Sequence, residues 1–350
     1  MDDISFKTVN LSDFTTIKLG GQSDKFVECV NDDNIISAVK YARENNLSFQ
    51  VLAGGSNSIF SDEGFKGVVI YINSKGISQD GDLFIVNAGV NWDAFVEFAL
   101  LNGYAGIECL SGIPGSVGAT PIQNVGAYGQ EVSKVIKSVK VLNTETLKFE
   151  VFSKKSCGFS YRNSMFKSKS KGKYIITEVT FDLEFNGEPV IKYKELYDLL
   201  VYDDIYKSLH NNISKLIYVR NTVLEIRAGK SMIYNENDNE SFSCGSFFTN
   251  PVIDKKAYKN FLKKCSELNL QPVCYKVGEQ FKVSAAWLIE NSGFEKGYTK
   301  NGIGISSKHS LALVNKGGST KDLLRLSEKI QNKVFLKFGI KLIREPELIT

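Results

Sequence analysis

Two hydrophobic patterns alternate along the chain and predict an α+β protein. Alternating apolar and polar residues are typical of strands, whereas apolar residues three and four apart are typical of helices. The strand pattern occurs at 23–30, 47–60 (with a glycine turn inside), 67–72, 83–90, 135–143, 147–152, 174–185, 309–315 and 340–349. The helical pattern occurs at 32–46, 91–104, 213–230, 254–268, 284–293 and 320–339. Many strands around few helices favour an α+β fold over a doubly wound sheet.

Length and charge narrow the class of protein. The 350 residues exceed what one hydrophobic core usually organises, so two or three domains are expected. The net charge of +4 is mild, and the sequence has no basic run of the nucleic-acid-binding type. We therefore expect no nucleic-acid partner, and we expect a monomer.

The cysteines and the N-terminal sequence indicate the compartment. The six cysteines are scattered, without a C-x-x-C pair or metal-ligand spacing, which is typical of reduced thiols and predicts no metal site. The first residues have no apolar core of the signal-peptide kind, and no apolar run approaches the ~18 residues of a membrane span. These features predict a cytoplasmic protein without a membrane partner.

Two glycine-rich passages are candidate ligand loops. In "LAGGSNSIF", Gly54, Gly55, Ser56 and Asn57 directly follow a strand, as in an anion-binding nest of backbone N–H groups. A plain polar β-turn remains the alternative. The passage "SGIPGSVGATPIQNVGAYGQE" (111–131) is too rich in glycine for a helix and too apolar for a linker, so it predicts a rigid loop against a ligand. Neither passage is a P-loop or a G-x-G-x-x-G motif.

Several polar residues lie where an anion could bind. Arg162 stands beside Tyr161 among aromatic residues, where it either meets an anionic or planar partner or extends to solvent. Arg227 and Lys230 are three residues apart at a helix end, which suits either a phosphate clamp or a solvated last turn. Near the end, Glu347 follows a proline in "REPEL".

The stretch "CGSFFTNP" (244–251) holds Ser246 without an obvious base. The chain has only two histidines, His210 and His309, so a histidine-activated serine nucleophile is poorly supported.

In their order, these motifs resemble one family. "LAGGSNSIF", "SGIPGSVGATPIQNVGAYGQE", "FSYRNSMFK", "EIRAGK", "GSFFTNP", "AAWLIENSG", "KGY" and "EPEL" resemble the motifs of the UDP-N-acetylenolpyruvoylglucosamine reductases. The resemblance implies an FAD-binding fold of the vanillyl-alcohol-oxidase type. It also implies three domains: FAD-binding subdomain 1 at 1–72 with the strand 340–350, subdomain 2 at 73–212, and a substrate-binding domain at 213–339.

The resemblance also implies a reaction. NADPH would reduce non-covalent FAD, and hydride would then pass to the enolpyruvyl group of UDP-N-acetylglucosamine enolpyruvate, giving UDP-N-acetylmuramate for peptidoglycan. Arg162 and Glu347 would stabilise the enolate-like charge on the substrate. Ser246 would donate the proton, because an oriented hydroxyl can serve as the acid beside a strongly basic carbon.

The remaining residue roles are implied in the same way. The FAD contacts implied are Gly54, Gly55, Ser56, Asn57, Gly112, Ile113, Pro114, Gly115, Gly118, Ala119, Ile122, Gln123, Gly126 and Tyr161. The substrate contacts implied are Tyr128, Tyr193, Arg227, Lys230, Asn250 and His309, with Tyr193 on the extra loop of the long form of the family. Where many members have an arginine two residues after the terminal glutamate, this chain has Ile349.

Two other functions stay open at this stage. One keeps FAD but acts on another substrate, as a lactone or alcohol oxidase would. The other is a flavin-free binding protein that retains a nucleotide-sugar site. The absence of a histidine near "GGSNS" for covalent FAD argues against the first, and the intact glycine loops argue against the second.

Overall fold

The computed structural model describes residues 4–350, and its elements confirm the predicted α+β class. The helices are α1 (Asp32–Glu44), α2 (Trp92–Leu101), α3 (Lys194–Val201), α4 (Asp204–Ser208), α5 (Asn212–Gly229), α6 (Lys255–Glu267), α7 (Ala285–Glu290) and α8 (Thr320–Phe338). The strands are β1 (Lys7–Asn10), β2 (Gln22–Cys29), β3 (Phe49–Leu52), β4 (Ser58–Phe60), β5 (Val68–Ile72), β6 (Ile77–Asp80), β7 (Leu83–Asn87), β8 (Tyr104–Ala105), β9 (Gly126–Ala127), β10 (Gln130–Glu131), β11 (Ile136–Asn143), β12 (Phe149–Ser153), β13 (Tyr174–Asp182), β14 (Glu184–Phe185), β15 (Ser243–Ser246), β16 (Val252–Ile253), β17 (Cys274–Val277), β18 (Gln280–Val283), β19 (Thr299–Lys300), β20 (Ile303–Ile305), β21 (Ala312–Asn315) and β22 (Glu347–Ile349).

The chain forms two compact units that are discontinuous in sequence. Unit 1 takes the chain up to Val9, Ser23–Gly55 and Lys66–Ile233; unit 2 takes Asn10–Gln22, Ser56–Phe65 and Tyr234–Thr350. The three-domain division implied by the resemblance stays a prediction. Within residues 4–350, no helix is both long and apolar enough to cross a membrane.

Unit 1 is built on two sheets. The first has the order β1-β2-β5-β3, with β2 and β3 parallel to β5, and the second is antiparallel with the order β12-β11-β13-β7-β6. Asn31 caps α1 by accepting a hydrogen bond from the Asn34 N–H at 2.8 Å, and Asn91 caps α2 in the same way. Both helices bury an apolar stripe in the core of this unit, which includes Ile35, Ala38, Val39, Trp92, Phe95, Val96 and Ala99.

A smaller apolar cluster holds α3 against α5 in unit 1. Leu196 and Leu200 of α3 pack with Val219 and Val223 of α5 and with Cys109. The sequence did not predict α3 or α4, because they are short and several of their apolar side chains face solvent. The exposed ones are Tyr197 and Leu199 of α3 and Ile205 of α4, and Tyr202 between the two helices is also exposed.

Unit 2 has its own core beneath an antiparallel sheet with the order β15-β21-β20-β19. Helix α8 begins at the cap residue Ser319 and ends at Gly339, whose φ of 71° suits a glycine cap. A second sheet has the order β16-β18-β17, and β22 pairs in parallel with β4. Buried side chains of this core include Phe247, Phe248, Leu288, Leu323, Ile330, Val334 and Phe338.

Two predicted strands are shorter than their hydrophobic pattern. Of 340–349 only Glu347–Ile349 is a strand, because Pro346 has no N–H to donate to a ladder and interrupts the run. Of 309–315 only Ala312–Asn315 is a strand, since the preceding residues form a turn in which the Ala312 N–H donates to the His309 carbonyl.

All six cysteines are free thiols, as the sequence predicted. Burial raises the pKa of Cys29, Cys157 and Cys244 to about 12. Cys244, two residues before Ser246, therefore remains a thiol at neutral pH and is not a nucleophile.

Candidate active site

The two glycine-rich passages meet in unit 1. A Cβ on Gly54 would lie 2.5 Å from the Cα of Gly115, so only glycine permits this approach. The neighbouring Gly55 has a φ of 62°, and Gly115 has a φ of 127°. The structure thus brings together two loops that the sequence could only treat separately.

Unpaired donors lie at this junction. The buried N–H of Gly55 has no acceptor among residues 4–350. The Oγ of Ser116 is also buried, and within the same described residues it has no hydrogen-bond partner. Buried polar groups are rarely left unsatisfied unless a ligand pairs them. Backbone N–H groups in a glycine turn plus a hydroxyl suit an anionic group, so Gly54, Gly55 and Ser116 fit the diphosphate of FAD.

Sequence reasoning missed Ser116 and also missed the charged pair that holds the start of the 111–131 loop. Asp93 Oδ1 accepts the Gly112 N–H at 2.6 Å, and Arg220 donates two hydrogen bonds of 2.6 and 2.8 Å to the Asp93 carboxylate. Arg227 Nε donates to the Gly112 carbonyl at 3.2 Å. The peptide groups on both sides of Gly112 are therefore fixed by charged side chains.

Burial and neighbouring charges both affect the pKa values of Asp93 and Arg227. Burial favours a higher pKa for Asp93, but hydrogen bonds from Arg220 and from the Gly112 N–H outweigh it and hold that pKa below its usual range. Burial lowers the pKa of Arg227. One sequence signal could have revealed Arg220, because it lies on the apolar face of α5 between Val219 and Val223 and only 7% of its side chain is exposed.

The rest of the 111–131 loop is fixed to the segment around Arg162. Ser164 Oγ donates to the Ile122 carbonyl at 2.6 Å, and Lys167 donates to Gln123 Oε1 at 2.9 Å. The buried Asn124, also missed, donates to the Ser160 carbonyl at 3.1 Å. Of the other implied FAD contacts, Gly118 packs where a Cβ would lie 2.5 Å from the Cβ of Ala88, and Ile113, Pro114 and Ala119 are half-buried.

Arg162 has an unusual backbone conformation. Its φ of 52° lies in the left-handed region, which side chains of this size rarely adopt. Its Nη2 donates to the Gly126 carbonyl at 2.8 Å, and its guanidinium lies 5.6 Å from the centre of the Tyr161 ring. Backbone strain of this kind concentrates at functional sites, where the surrounding structure maintains it.

The implied substrate contacts of unit 1 lie together around Tyr128. Tyr128, with a φ of 46°, packs edge-to-face on Tyr193, and the ring centres are 5.4 Å apart. Its hydroxyl interacts with Arg227 and with the charge of Lys230. Lys230 donates to both carboxylate oxygens of Glu195 at 2.9 and 2.8 Å, and Arg227 also donates to backbone carbonyls.

In unit 2, Ser246 ends β15 immediately after a bulge. The register of β15 on β21 shifts between Ser243 and Ser246, and Gly245 between them has a φ of 68°. No described atom lies within 4 Å of the position of a Cβ on Gly245, so the glycine is required by its conformation rather than by close packing. The Ser246 hydroxyl is half-buried and has no hydrogen-bond partner in the described chain.

The stretch around Ser246 meets the C-terminal "EPEL" segment. The N–H of Glu345 donates to the Phe247 carbonyl at 2.9 Å, and the N–H of Glu347 donates to the Asn57 carbonyl at 3.0 Å. Ser58, next to the implied FAD contacts Ser56 and Asn57, pairs with Glu347 in the ladder of β4 and β22. Unit 2 thus holds Ser246, Glu347, Ser56 and Asn57, and unit 1 holds Arg162.

Three further residues that the sequence analysis singled out make contacts within unit 2. Asn250 Oδ1 accepts the Ala285 N–H at the start of α7 at 2.9 Å. The His309 carbonyl accepts from Ala312 at the turn before β21. Ile349 is 5% exposed and pairs with Phe60, so its position serves the core of this unit.

Comparisons with known proteins show which family the chain is similar to. The sequence profile of the UDP-N-acetylenolpyruvoylglucosamine reductase C-terminal domain matches residues 237–349, and that of an FAD binding domain matches residues 23–146. The UDP-N-acetylenolpyruvoylglucosamine reductase of Thermobifida fusca is 39% identical over 98% of this chain and 97% of its own length. That of Salinispora arenicola is 39% identical over 97% of this chain and 94% of its own.

A solved structure has the same fold. The UDP-N-acetylenolpyruvylglucosamine reductase from Thermus caldophilus superposes with a TM-score of 0.69 and 22% identity, over 99% of this chain and 100% of that one. Together with the FAD binding domain match, this likeness confirms the predicted FAD-binding fold of the vanillyl-alcohol-oxidase type.

Proposed function

The chain belongs to the UDP-N-acetylenolpyruvoylglucosamine reductase family, and we propose that it reduces UDP-N-acetylglucosamine enolpyruvate to UDP-N-acetylmuramate with NADPH. It is an FAD-containing oxidoreductase of peptidoglycan precursor synthesis. When bound, FAD supplies the relay of hydride from NADPH to the enolpyruvyl carbon. Gly54, Gly55 and Ser116 would hold its diphosphate, and the 111–131 loop would hold the rest, without a covalent bond to the protein.

The single observation that carries the proposed chemistry is the surroundings of Ser246. Hydride addition to the vinyl carbon leaves an electron pair on the adjacent carbon and its carboxylate, and that carbon must take a proton. The Ser246 hydroxyl has no partner among the described residues, and the bulge at Gly245 sets its direction. An uncommitted, oriented O–H can donate its proton to a carbanionic carbon, so no histidine is required.

Arg162 and Glu347 are the proposed stabilisers of the developing charge. The guanidinium of Arg162 is a planar cation that donates to the Gly126 carbonyl and lies beside the Tyr161 ring. Such a group acts without reorganisation when negative charge appears on the substrate carboxylate. Glu347 is held by its backbone in β22, on a strand rather than on a mobile tail. Substrate contacts proposed in addition are Tyr128, Tyr193, Arg227, Lys230, Asn250 and His309.

Stopped-flow spectroscopy tests the proposal by separating the two half-reactions. The purified protein is expected to be yellow, with flavin released on denaturation. Anaerobic NADPH should bleach the flavin, and the UDP-enolpyruvyl substrate should restore its colour. Ser246→Ala is expected to leave bleaching nearly unchanged and to slow the restoration by about 10²–10⁴-fold, the usual contribution of a general acid.

Two control variants make this test specific. Ser246→Cys keeps a proton on the side chain and is expected to recover part of the rate. Ser327→Ala removes another hydroxyl of unit 2, one that donates to the Leu324 carbonyl within α8, and it should affect neither half-reaction by more than a few fold. Equal slowing of both half-reactions by Ser246→Ala would show a structural role for the serine. A colourless protein that does not take up FAD would refute the reductase function itself.

A further inference from the structure

Glu108 is a fully buried carboxylate that the proposed chemistry does not use. It lies in the short 3-10 turn Glu108–Leu110, and its exposed fraction is 0%. Its Oε1 accepts from Gln130 Nε2 at 2.6 Å and from the Val190 N–H at 2.9 Å, and its Oε2 accepts from the Gly106 N–H at 2.8 Å. Burying a carboxylate is costly, and three donors on its oxygens are what makes this position tolerable.

The donors come from segments that the proposed function needs in fixed positions. Gln130 ends the glycine-rich 111–131 loop, and its own Oε1 accepts the Cys109 N–H at 2.8 Å. Val190 is three residues before Tyr193 and leads into α3. The Val190 carbonyl also accepts from the Cys109 thiol at 3.8 Å, so both polar groups of Val190 are held at Glu108–Cys109.

The segment 190–209, which contains α3 and α4, buries little apolar surface. Leu196 and Leu200 are its only buried residues, Ile191 and Tyr206 pack partly buried against the same small cluster, and the side chain of Tyr202 is 80% exposed. Its polar contacts with α5 are made by Glu195, which accepts from Lys230, and by Asp203, which accepts from the Tyr218 hydroxyl. A segment with little buried apolar surface depends on its end points for its position. The segment begins at Val190, whose N–H donates to the carboxylate of Glu108.

We propose that Glu108 is a positioning residue that fixes the start of the segment 190–209 through the Val190 N–H and thereby places Tyr193 against the substrate. The same carboxylate holds Gln130, so the FAD loop and the start of the tyrosine segment share one anchor. The inference rests on the proposed substrate contact of Tyr193. A purely structural Glu108 would affect stability and both half-reactions alike, whereas the anchor acts on substrate binding.

Val190→Pro tests the anchor without changing the buried carboxylate. Proline lacks the N–H that Glu108 accepts, and Val190→Ala is the matched control because it keeps the N–H and loses only the half-exposed side chain. Val190→Pro is expected to raise the KM for UDP-N-acetylglucosamine enolpyruvate by about tenfold or more, the value of one hydrogen bond to a charged group. The kcat and the rate of flavin reduction by NADPH should remain within about twofold of those of Val190→Ala.

Limited trypsin digestion of the holoenzyme without substrate separates the anchor from the role of Tyr193. The exposed Lys192, Lys194 and Lys207 lie in the segment, and cleavage there should be several-fold faster in Val190→Pro than in Val190→Ala. Equal cleavage and equal KM in the two variants would overturn the anchor. Faster cleavage with an unchanged KM would keep the anchor and overturn the substrate contact of Tyr193.

Glu108→Ala removes the acceptor of the Val190 N–H directly. It takes away both accepting oxygens, whereas Glu108→Gln can keep its amide oxygen at the Oε1 position and so preserve the bonds from Val190 and Gln130. The KM is expected to rise in Glu108→Ala in the same direction as in Val190→Pro, with FAD retained, and to stay closer to the wild-type value in Glu108→Gln. A Glu108→Ala protein that keeps a normal KM and a normal cleavage pattern would contradict the proposal.

Discussion

Arg220 of α5 and Asp93 of α2 form a two-hydrogen-bond ion pair, at 2.6 and 2.8 Å, that also holds the N–H of Gly112. Only 7% of the Arg220 side chain and 31% of the Asp93 side chain are exposed. The pair therefore connects two helices of unit 1 to the first residue of the candidate FAD loop that has a positive φ, 70° at Gly112.

Removing one member of this ion pair should lower the free energy of unfolding. Asp93→Asn is expected to lower the free energy of unfolding by roughly 2–3 kcal/mol, at the low end for a buried pair because Asp93 is partly exposed. Glu97→Gln is the control, because Glu97 lies 3.6 Å from the same guanidinium, is largely exposed and has no contact with Gly112. It should cost less than about 1 kcal/mol in the same urea titration. Equal effects of the two variants would mean that the Gly112 contact contributes nothing.

The same pair predicts an acid-sensitive part of the stability. The pKa of Asp93 is held below its usual value of 3.8 in the folded protein, so the folded state binds a proton there less readily than the unfolded state. The stabilisation is therefore complete above the unfolded pKa and is lost as the pH falls through the folded pKa. The difference in unfolding free energy between wild type and Asp93→Asn should be constant from pH 7 to about 5 and shrink below about 4. A difference that grows on acidification would contradict this assignment.

Ser116→Ala should affect the apoprotein and the holoenzyme in opposite directions. The hydroxyl is buried without a described partner, so removing it is expected to stabilise the apoprotein by about 1 kcal/mol. If the hydroxyl pairs with FAD, the same change should weaken FAD binding by about tenfold, measured by flavin fluorescence during titration. Ser23→Ala removes another buried, unpaired hydroxyl of the described chain and should stabilise the apoprotein without changing FAD affinity.

The left-handed backbone at Arg162 predicts that glycine at this position gives a protein at least as stable as alanine does. At an ordinary position alanine is more stable than glycine, but a φ of 52° penalises a Cβ by about 1–2 kcal/mol. Arg162→Gly should therefore be at least as stable as Arg162→Ala in urea, and the proposed role of Arg162 predicts that both slow substrate reduction by about 10²–10³-fold. At Lys140 in the middle of β11, the glycine variant should be the less stable one. A glycine variant at 162 that is clearly less stable than the alanine variant would mean that the strain is absent in solution.

Long periodic segments of this fold were predictable from sequence, and the contacts between them were not. The helices α1 and α8 follow their apolar periodicity closely, because that periodicity is what buries them. The meeting of Gly54 with Gly115 and the pairing of Asp93 with Arg220 join residues far apart in sequence, and no local pattern encodes them.

The candidate site shows the same limit at the level of single side chains. The sequence could place Ser246 in a strand-and-turn motif, but it could not show why a glycine precedes it. The φ of 68° at Gly245 and the register shift in β15 explain why glycine is required there. Lys230 could be identified as a cation at a helix end, yet its partner Glu195 lies on a helix that the sequence did not predict. Short helices with few buried residues carry too little periodicity to be recognised.

The ladder between β4 and β22 makes the folding of unit 2 wait for a strand that is synthesised late. Ser58 pairs with Glu347, so β4 leaves the ribosome long before its partner strand β22 is synthesised. At roughly 5–20 residues per second, β4 waits about 15–60 s for β22. All of unit 1 has been synthesised once Ile233 has emerged, whereas unit 2 cannot be completed until β22 has emerged. A nascent chain stalled before β22 has emerged would therefore present Ser246 on a strand without the segment that carries Glu347, and deletion of β22 would remove a structural strand and a proposed catalytic residue together.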